Sequence, residues 1–205
     1  MNDDPRAVTV HSRVNRGMAI FCWALLAVLG ALGAMQADPR GAAAAVLAVV
    51  WLAYAAFVVL WAPALVVDRG GCEIRNPLRT VRVAWEALIH VDTRYSLTLF
   101  TPNRRWPVWC APQAGRLSAR RKARQAGDDA RDPRDPRNPL DVGMRIGDVP
   151  GTESGDAARL VRDRWASAPR GADAEGVAVP VVLHWWRVAA LAAGPVLIAC
   201  VPLLL

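Results

Sequence analysis

Charged residues are absent from three stretches of the chain and crowd into the region between them. Residues 18–37 and 41–67 carry no charge, and only Asp38-Pro39-Arg40 separates them. Each stretch reaches the roughly 20 residues that a helix needs to cross about 30 Å of hydrocarbon. The third stretch, residues 188–205, holds 18 uncharged residues, about 27 Å of helix. The pattern predicts a transmembrane helical hairpin and a separate, C-terminal transmembrane helix.

Short alternating segments between these stretches predict a small antiparallel sheet. Residues 72–76, 81–85 and 95–99 alternate apolar and polar side chains, and turn residues stand at 69–71 and 102–104. Five or six such strands are typical of a small antiparallel sheet or a partly closed barrel.

A helix is predicted beyond this sheet, from Thr152 as N-cap to about Ala168. Four of its apolar residues share one face, with spacing i, i+3, i+4 and i+8: Ala157, Leu160, Val161 and Trp165. Such a face needs a partner to cover it, and we expect it to pack on the sheet. Between sheet and helix, the basic residues 113–126 favour a helix but lack an apolar stripe. Residues 127–151 contain Asp-Pro and Asn-Pro steps, which exclude helix and sheet and predict an extended linker.

The distribution of arginine predicts the orientation of the spans. Three arginines precede the first stretch and four follow the second by residue 82, whereas the hairpin loop holds only Arg40. By the positive-inside rule, the N-terminus and the middle region lie in the cytoplasm, and the protein is a multi-pass protein of the cell (inner or plasma) membrane. A cleaved signal peptide is the rival interpretation, but its apolar run would be too long and a second span follows directly.

The net charge of +7 is unevenly distributed. Residues 69–124 hold 12 basic and 3 acidic residues, a net of +9, and residues 128–175 hold 8 basic and 11 acidic, a net of −3. The mean hydropathy of +0.19 therefore averages apolar spans with a charged middle region. Despite the pI of about 10.2, nucleic acid is not a predicted partner, because readout motifs that interleave basic and aromatic residues are missing.

No pattern in the sequence points to catalysis or to a metal. The three histidines lie far apart, and the four cysteines form no C-x-x-C pair. Phosphate loops and the common hydrolase and zinc-protease motifs are missing as well. The sequence thus predicts a protein that is not an enzyme, with no catalytic residue, no metal site and no cofactor, and with reduced thiols in the cytoplasm.

Several local features stand in a recognisable order after the helical hairpin: a strand ending in Val67, Gly71 in the first turn, Arg75-Asn76, the strand Arg82-Val83-x-Trp85, and the Asn103-Arg104 hairpin. This order resembles actinobacterial membrane-anchored proteins that carry a bacterial PH-like domain. The resemblance covers roughly residues 62–110, and the helix at 152–168 is a looser match. It implies a curved β-barrel closed at one end by a helix and held at the inner membrane face. The long insertion at 113–150 and the third span depart from the family pattern.

The predicted fold is therefore an α+β membrane protein with a transmembrane hairpin, a cytoplasmic PH-like antiparallel β-barrel with a closing helix, and a C-terminal transmembrane helix. Its predicted segments follow in chain order: cytoplasmic tail 1–16, hairpin 17–62, PH-like β domain 63–112, insertion or linker 113–151, closing helix 152–168, linker 169–184 and third span 185–205.

Arginine repeatedly falls on polar positions of the β domain, and these residues are the candidate contacts for a lipid or a protein partner. They are Arg75, Arg79, Arg82, Arg104 and Arg105 in the strand region and Arg116, Arg120, Arg121, Lys122 and Arg124 in the run that follows. The plain alternative is a solvated face that also serves as a topology signal.

Several functions stay open at this point, all with the lipid bilayer as a partner. The first is an interaction or scaffold module at the cytoplasmic membrane face, with other membrane proteins as partners and the insertion at residues 113–150 as a docking segment. The second is a sensor of anionic lipid headgroups, to which each basic residue near the surface contributes about 1 kcal/mol. An accessory subunit of another membrane complex and an uncharacterised enzyme are further alternatives.

Overall fold

A computed structural model describes residues 7–36, 38–112, 148–168 and 177–204 of the chain. The chain divides into two compact units. One consists of Met1–Ser12, Ala64–Arg75 and Val81–Val181, and we call it the β domain. The other consists of Arg13–Pro63, Asn76–Thr80 and Val182–Leu205, and we call it the helical unit.

The elements follow one another in this order: β1 (Val8–Val10), α1 (Arg13–Gln36), α2 (Pro39–Ala56), a π-helical turn (Phe57–Trp61), β2 (Ala64–Val67), β3 (Gly71–Arg75), β4 (Arg79–Ala84), a 3-10 turn (Trp85–Ala87), β5 (His90–Asp92), β6 (Ser96–Thr101), β7 (Arg104–Pro112), α3 (Glu153–Ser167), β8 (Val181–Leu183) and α4 (Trp185–Leu204). The strands form a five-stranded sheet in the order β1-β2-β3-β4-β8 and a three-stranded sheet in the order β5-β6-β7.

The alternating segments of the sequence became strands because one face of each is buried. In β4, Val81 and Val83 are at most 1% exposed, while Arg82 between them faces outward. In β6, Leu97 and Leu99 are fully buried and the residues between them are half-buried. This period of two matches the pleat of a strand with one covered face.

Both sheets and α3 share one apolar core. The predicted helix is confirmed: the Thr152 side chain accepts a hydrogen bond from the Gly155 N–H at 3.1 Å and so caps α3. Ala157 and Val161 are buried in the same cluster as the strand residues, and Leu160 and Trp165 pack against it half-buried. The expected packing of the helix on the sheet is therefore observed.

The predicted closed barrel is wrong, because in the described part of the chain the strands form two separate sheets. The 3-10 turn interrupts the chain between β4 and β5, and the Trp85 Nε1–H donates to the Arg69 carbonyl at 2.9 Å. Because β4 pairs with β3 on one edge and with β8 on the other, the ladder does not continue from β4 to β5. Side-chain packing joins the two sheets instead.

Two strands lie in segments that the sequence assigns to a tail and a linker. β1 lies in the predicted tail 1–16 and pairs antiparallel with β2, Val8 opposite Val67 and Val10 opposite Leu65. β8 lies in the predicted linker 169–184, at the edge beyond β4. Three residues are too few for periodicity to reveal a strand.

The helical unit contains α1, α2 and α4. Asp38 caps α2 by accepting a hydrogen bond from the Gly41 N–H at 3.1 Å. The Trp23 Nε1–H donates to the Ala53 carbonyl at 3.0 Å and so joins α1 to α2. On α4, Gly194 lies so close to the ring of Trp51 that any Cβ would collide with it.

Two helical stretches of this unit are long and apolar enough to cross a membrane: Arg13–Met35 and Pro39–Trp61, of 23 residues each. Large apolar side chains are exposed along them, among them Phe21 at 64% and Val50 at 60%. In length and composition the predicted hairpin is therefore supported. The predicted third span is weaker, because the apolar segment Trp185–Cys200 of α4 covers only about 24 Å, short of about 30 Å of hydrocarbon.

Candidate functional site

The turn between β2 and β3 is built around the carboxylate of Asp68. Its Oδ1 accepts hydrogen bonds from the N–H groups of Gly70 at 2.8 Å and Gly71 at 3.0 Å. Gly71 has φ +152°, and a Cβ there would meet the Val83 carbonyl oxygen, so the position requires glycine. The turn therefore presents one carboxylate at a fixed place beside β4.

Arg82 of β4 binds this carboxylate with both ends of its guanidinium. Its Nη2 lies 2.7 Å from Oδ1 of Asp68, and its Nη1 lies 2.6 Å from Oδ2. Bidentate pairs of this kind are geometrically specific and stronger than single contacts. The Arg82 guanidinium is thus engaged within the chain.

The environment lowers the pKa of Asp68 below its usual 3.8. Burial opposes ionisation of the carboxyl, but the hydrogen bond and charge of Arg82, together with the N–H groups of Gly70 and Gly71, outweigh it. The carboxylate stays ionised at neutral pH and balances the arginine.

A second ion pair continues the cluster on the outer face of β3. The Arg75 Nε lies 2.6 Å from the Glu73 Oε1, and the Arg82 Nη1 lies 4.0 Å from the Glu73 Oε2. Two arginines and two carboxylates thus meet on this face. Their formal charges cancel, which leaves little net field for an external anion.

The structure therefore does not bring the described candidate arginines together on one surface. Arg75 and Arg82 meet through Glu73, whereas Arg79 stands half-buried at the start of β4, where its carbonyl accepts from the Asn76 N–H at 2.9 Å. The remaining described candidates, Arg104 and Arg105, begin β7 on the other sheet. The basic run lies outside the described residues: Arg116, Arg120, Arg121, Lys122 and Arg124.

Arg104 and Arg105 are exposed at the β6–β7 turn. The Arg104 guanidinium lies 5.8 Å from the centre of the Trp106 ring, within cation–π range. Among the described residues, no carboxylate lies within ion-pair distance of either arginine. These two arginines are therefore the described candidates that best suit contact with an external anion.

A groove of about 360 Å³ opens beside this turn. One wall comes from residues 101–104 and Trp106, and the other from Val177, Ala178, Val179 and Val181. The Thr101 hydroxyl is already used, since it donates to the Arg104 carbonyl at 2.9 Å and accepts from the Trp106 Nε1–H at 3.1 Å. The groove thus combines an apolar wall with the Arg104 cation.

The outer face of the three-stranded sheet combines Arg105, one of the sequence candidates, with His90 and Phe100, which were not among them. His90, Phe100 and Arg105 lie opposite one another on β5, β6 and β7. The His90 and Phe100 rings lie 5.8 Å apart, and Trp109, further along β7, is 50% exposed. The sequence could have revealed the outward side of β7, because residues 105, 107 and 109 alternate with the buried Trp106, Val108 and Cys110.

The buried thiols are poorly suited to chemistry. Burial raises the pKa of both Cys72 and Cys110 to about 12, so neither forms a thiolate at neutral pH. Within the described ranges, no group of three or more His, Cys, Asp or Glu side chains could hold a metal ion.

Comparison with known families identifies the β region. Residues 62–135 match the family model of the bacterial PH domain. The match begins just before β2, includes β2 to β7, and extends into residues that the sequence predicts as insertion or linker. The chain therefore contains a PH-like domain, as the resemblance implied. No curated protein and no solved structure matches the chain significantly.

Proposed function

We propose that the protein is a non-enzymatic interaction module in which a transmembrane hairpin anchors a PH-like domain at the cytoplasmic face of the cell membrane. Other membrane proteins would be its partners. The proposal combines the family match over residues 62–135 with the two apolar helices that precede the domain. Ala62 and Pro63 alone separate the π-helical turn from β2, so an inserted hairpin would hold the domain at the membrane surface by chain connectivity.

One observation favours a scaffold over a lipid sensor that uses the whole arginine face. Arg82 is bound at both ends by Asp68, and Arg75 is paired with Glu73. An anion binding there would have to displace carboxylates that the fold already holds in place. A partner protein can instead read the shape and the mixed charge of this surface.

The anchoring half of the proposal is tested by extraction of the full chain from membranes with alkaline carbonate. We expect the wild-type chain to stay in the pellet and Leu29→Arg, which places a charge within α1, to shift towards the supernatant. An arginine at the centre of a span costs roughly 2.5–3.5 kcal/mol of insertion. Val14→Arg, near the start of α1 where an arginine can reach the interface, is the matched control. Wild-type protein in the supernatant would contradict anchoring.

The interaction half is tested by site-specific photo-crosslinking of the full chain in native membranes. Crosslinkers replace Arg75 of the outer β3 face and Arg159 of α3, both exposed, with Phe21 of α1 as the lipid-facing control. We expect a reproducible protein adduct from at least one of the two β-domain positions and lipid adducts from Phe21. If neither β-domain position gave more protein adduct than Phe21, the scaffold role would be rejected.

A further inference from the structure

The three-stranded sheet has an outer face on which aromatic and cationic side chains lie together, and we propose that this face docks on a membrane surface containing anionic lipid. We call it the aromatic face and define it by His90, Thr98, Phe100, Arg105, Pro107 and Trp109. The proposal rests on the proposed membrane anchoring. It adds which surface of the PH-like domain meets the lipid.

Of the aromatic residues of this face, Trp109 is 50% exposed and Phe100 is half-buried. Tyr95, outside the face in the turn that leads into β6, is 81% exposed. On the opposite side of the same strands, Leu97, Leu99 and Trp106 are at most 3% exposed. The sheet thus has one face for the core and one with large rings in solvent, a composition that marks interaction surfaces.

The charge of the aromatic face is positive. Arg105 lies within it, Arg104 precedes it at the turn, and Arg94 lies in the turn before β6. The three strands carry one carboxylate, Asp92, whose Oδ1 already accepts the N–H groups of Thr93 and Arg94 at 2.9 and 3.2 Å. This differs from the outer face of β3 and β4, where carboxylates bind Arg75 and Arg82.

Aromatic rings beside arginine suit the headgroup layer of a bilayer in particular. Tyrosine and tryptophan concentrate at membrane interfaces, where the ring contacts acyl chains and its polar edge reaches water. Arginine lays its apolar stem along the same boundary and binds lipid phosphate with its planar guanidinium. Tethering by the hairpin raises the local concentration of lipid at the domain, so weak contacts suffice. We therefore assign a lipid surface, not an acidic protein, as the occupant.

The test places an environment-sensitive fluorophore on the aromatic face of the full chain. Thr98→Cys carries the probe in a Cys22→Ala, Cys200→Ala background. Cys72 and Cys110 can remain, because both thiols are buried and stay unlabelled in the folded protein. Asp163→Cys, on the exposed side of α3, is the matched control position. The protein is reconstituted in vesicles of phosphatidylcholine alone or with phosphatidylglycerol.

We expect the emission maximum of the fluorophore at position 98 to shift to the blue in vesicles with phosphatidylglycerol and to shift less in phosphatidylcholine alone. At position 163 we expect no shift. High salt should reduce the shift. Replacing both Arg104 and Arg105 by glutamine should lower the docking equilibrium constant about 30-fold, while Arg159→Gln should leave it unchanged. Trp109→Ser provides a second variant and should also reduce the shift.

Failure of this proposal is distinguishable from failure of the anchoring. If the chain resists carbonate extraction but the probe at position 98 reports an environment as polar as that at position 163, the docking proposal is overturned and the anchor is kept. If carbonate extracts the chain but the emission at position 98 still shifts to the blue with anionic lipid, the anchor is overturned and the docking face is kept. Equal shifts in both lipids would overturn the role of the arginines. A shift that needs added membrane proteins would overturn the lipid as occupant.

Discussion

The β domain and the helical unit use the same apolar residue types in opposite places. Leu97 and Leu99 of the β domain are fully buried, whereas Leu29 and Val50 of the helical unit are 56% and 60% exposed. A soluble fold hides such side chains from water, and a membrane segment presents them to hydrocarbon. This difference in exposure is what the proposed function requires: hydrocarbon around the hairpin and water around the β domain of one chain of 205 residues.

The two sheets of the β domain differ in another way, in whether their arginines are paired with carboxylates. Arg75 of β3 and Arg82 of β4 are held by carboxylates, and the two arginines at the start of β7 have no carboxylate within ion-pair distance in the described residues. Arginine count alone therefore overstates how much of the predicted face is available to an outside partner. What matters is which acidic side chains the fold brings beside each arginine.

The strongest test of the difference between the two regions is a pair of leucine truncations. Leu99→Ala should lower the free energy of unfolding of the β domain by about 2–5 kcal/mol, because it leaves a cavity in a closed core. Leu29→Ala should change that free energy by less than about 0.5 kcal/mol. Denaturant unfolding of the full chain in detergent, followed by near-UV circular dichroism, measures both. Equal losses would mean that the two regions do not differ as proposed.

A smaller effect is expected from two adjacent glycines in the β2–β3 turn. Gly71→Ala should destabilise the β domain by about 2 kcal/mol, because φ +152° and the Val83 carbonyl both exclude a Cβ. Gly70→Ala should cost less than about 1 kcal/mol, since its Cβ would find only ordinary contacts, at 3.5 Å from the Arg82 Nη2 and 3.6 Å from the Asp68 Oδ1. Thermal unfolding compares them, and a cost at Gly70 as large as at Gly71 would refute the steric explanation.

The smallest expected effect tests whether the Asp68–Arg82 pair stabilises the fold. Asp68→Asn should cost about 1 kcal/mol at pH 7, a value reduced by partial exposure of the pair. Because folding lowers the pKa of Asp68 below 3.8, its contribution is present above that pH and disappears as the pH falls through the folded-state pKa. The difference in free energy of unfolding between wild type and variant should therefore disappear in acid.

The control for this prediction is Asp163→Asn, at an exposed carboxylate of α3. Unfolding curves of the three proteins between pH 7 and about pH 3 would show the pattern. A gap between wild type and Asp68→Asn that stayed constant down to low pH would show that the ionised carboxylate contributes nothing.

Local periodicity predicted the elements that have a long, clear pattern. The period of two along β4 and β6 and the i, i+3, i+4 stripe of α3 were sufficient, because each follows from which face must be buried. β1 and β8 were missed, since three residues carry too little pattern. The barrel prediction failed between β4 and β5, because β8, from a segment about 100 residues later in the chain, pairs with the second edge of β4.

The sequence predicted part of the candidate site, because local alternation shows which side chains of a strand face outward. The sequence identifies Arg75 and Arg82 as outward-facing, and the structure agrees that both lie on the polar side of their strands. That Asp68 and Glu73 neutralise them depends on the β2–β3 turn and on the register of the sheet, which sequence spacing does not reveal. Phe100 and Trp109 were recognisable as outward by alternation, but the position of Phe100 opposite His90 and Arg105 depends on strand pairing.

The sequence by itself determined the class of this protein: apolar stretches long enough to span a membrane, a basic β region and a late amphipathic helix. These properties depend on residue type and local period, and both are written along the chain. Tertiary structure alone decided that the described strands form two sheets, that two of the five described candidate arginines, Arg75 and Arg82, are paired with carboxylates, and that Phe100 lies opposite His90 and Arg105. Burial and charge pairing depend on distances between residues remote in sequence, and only the folded chain sets those distances.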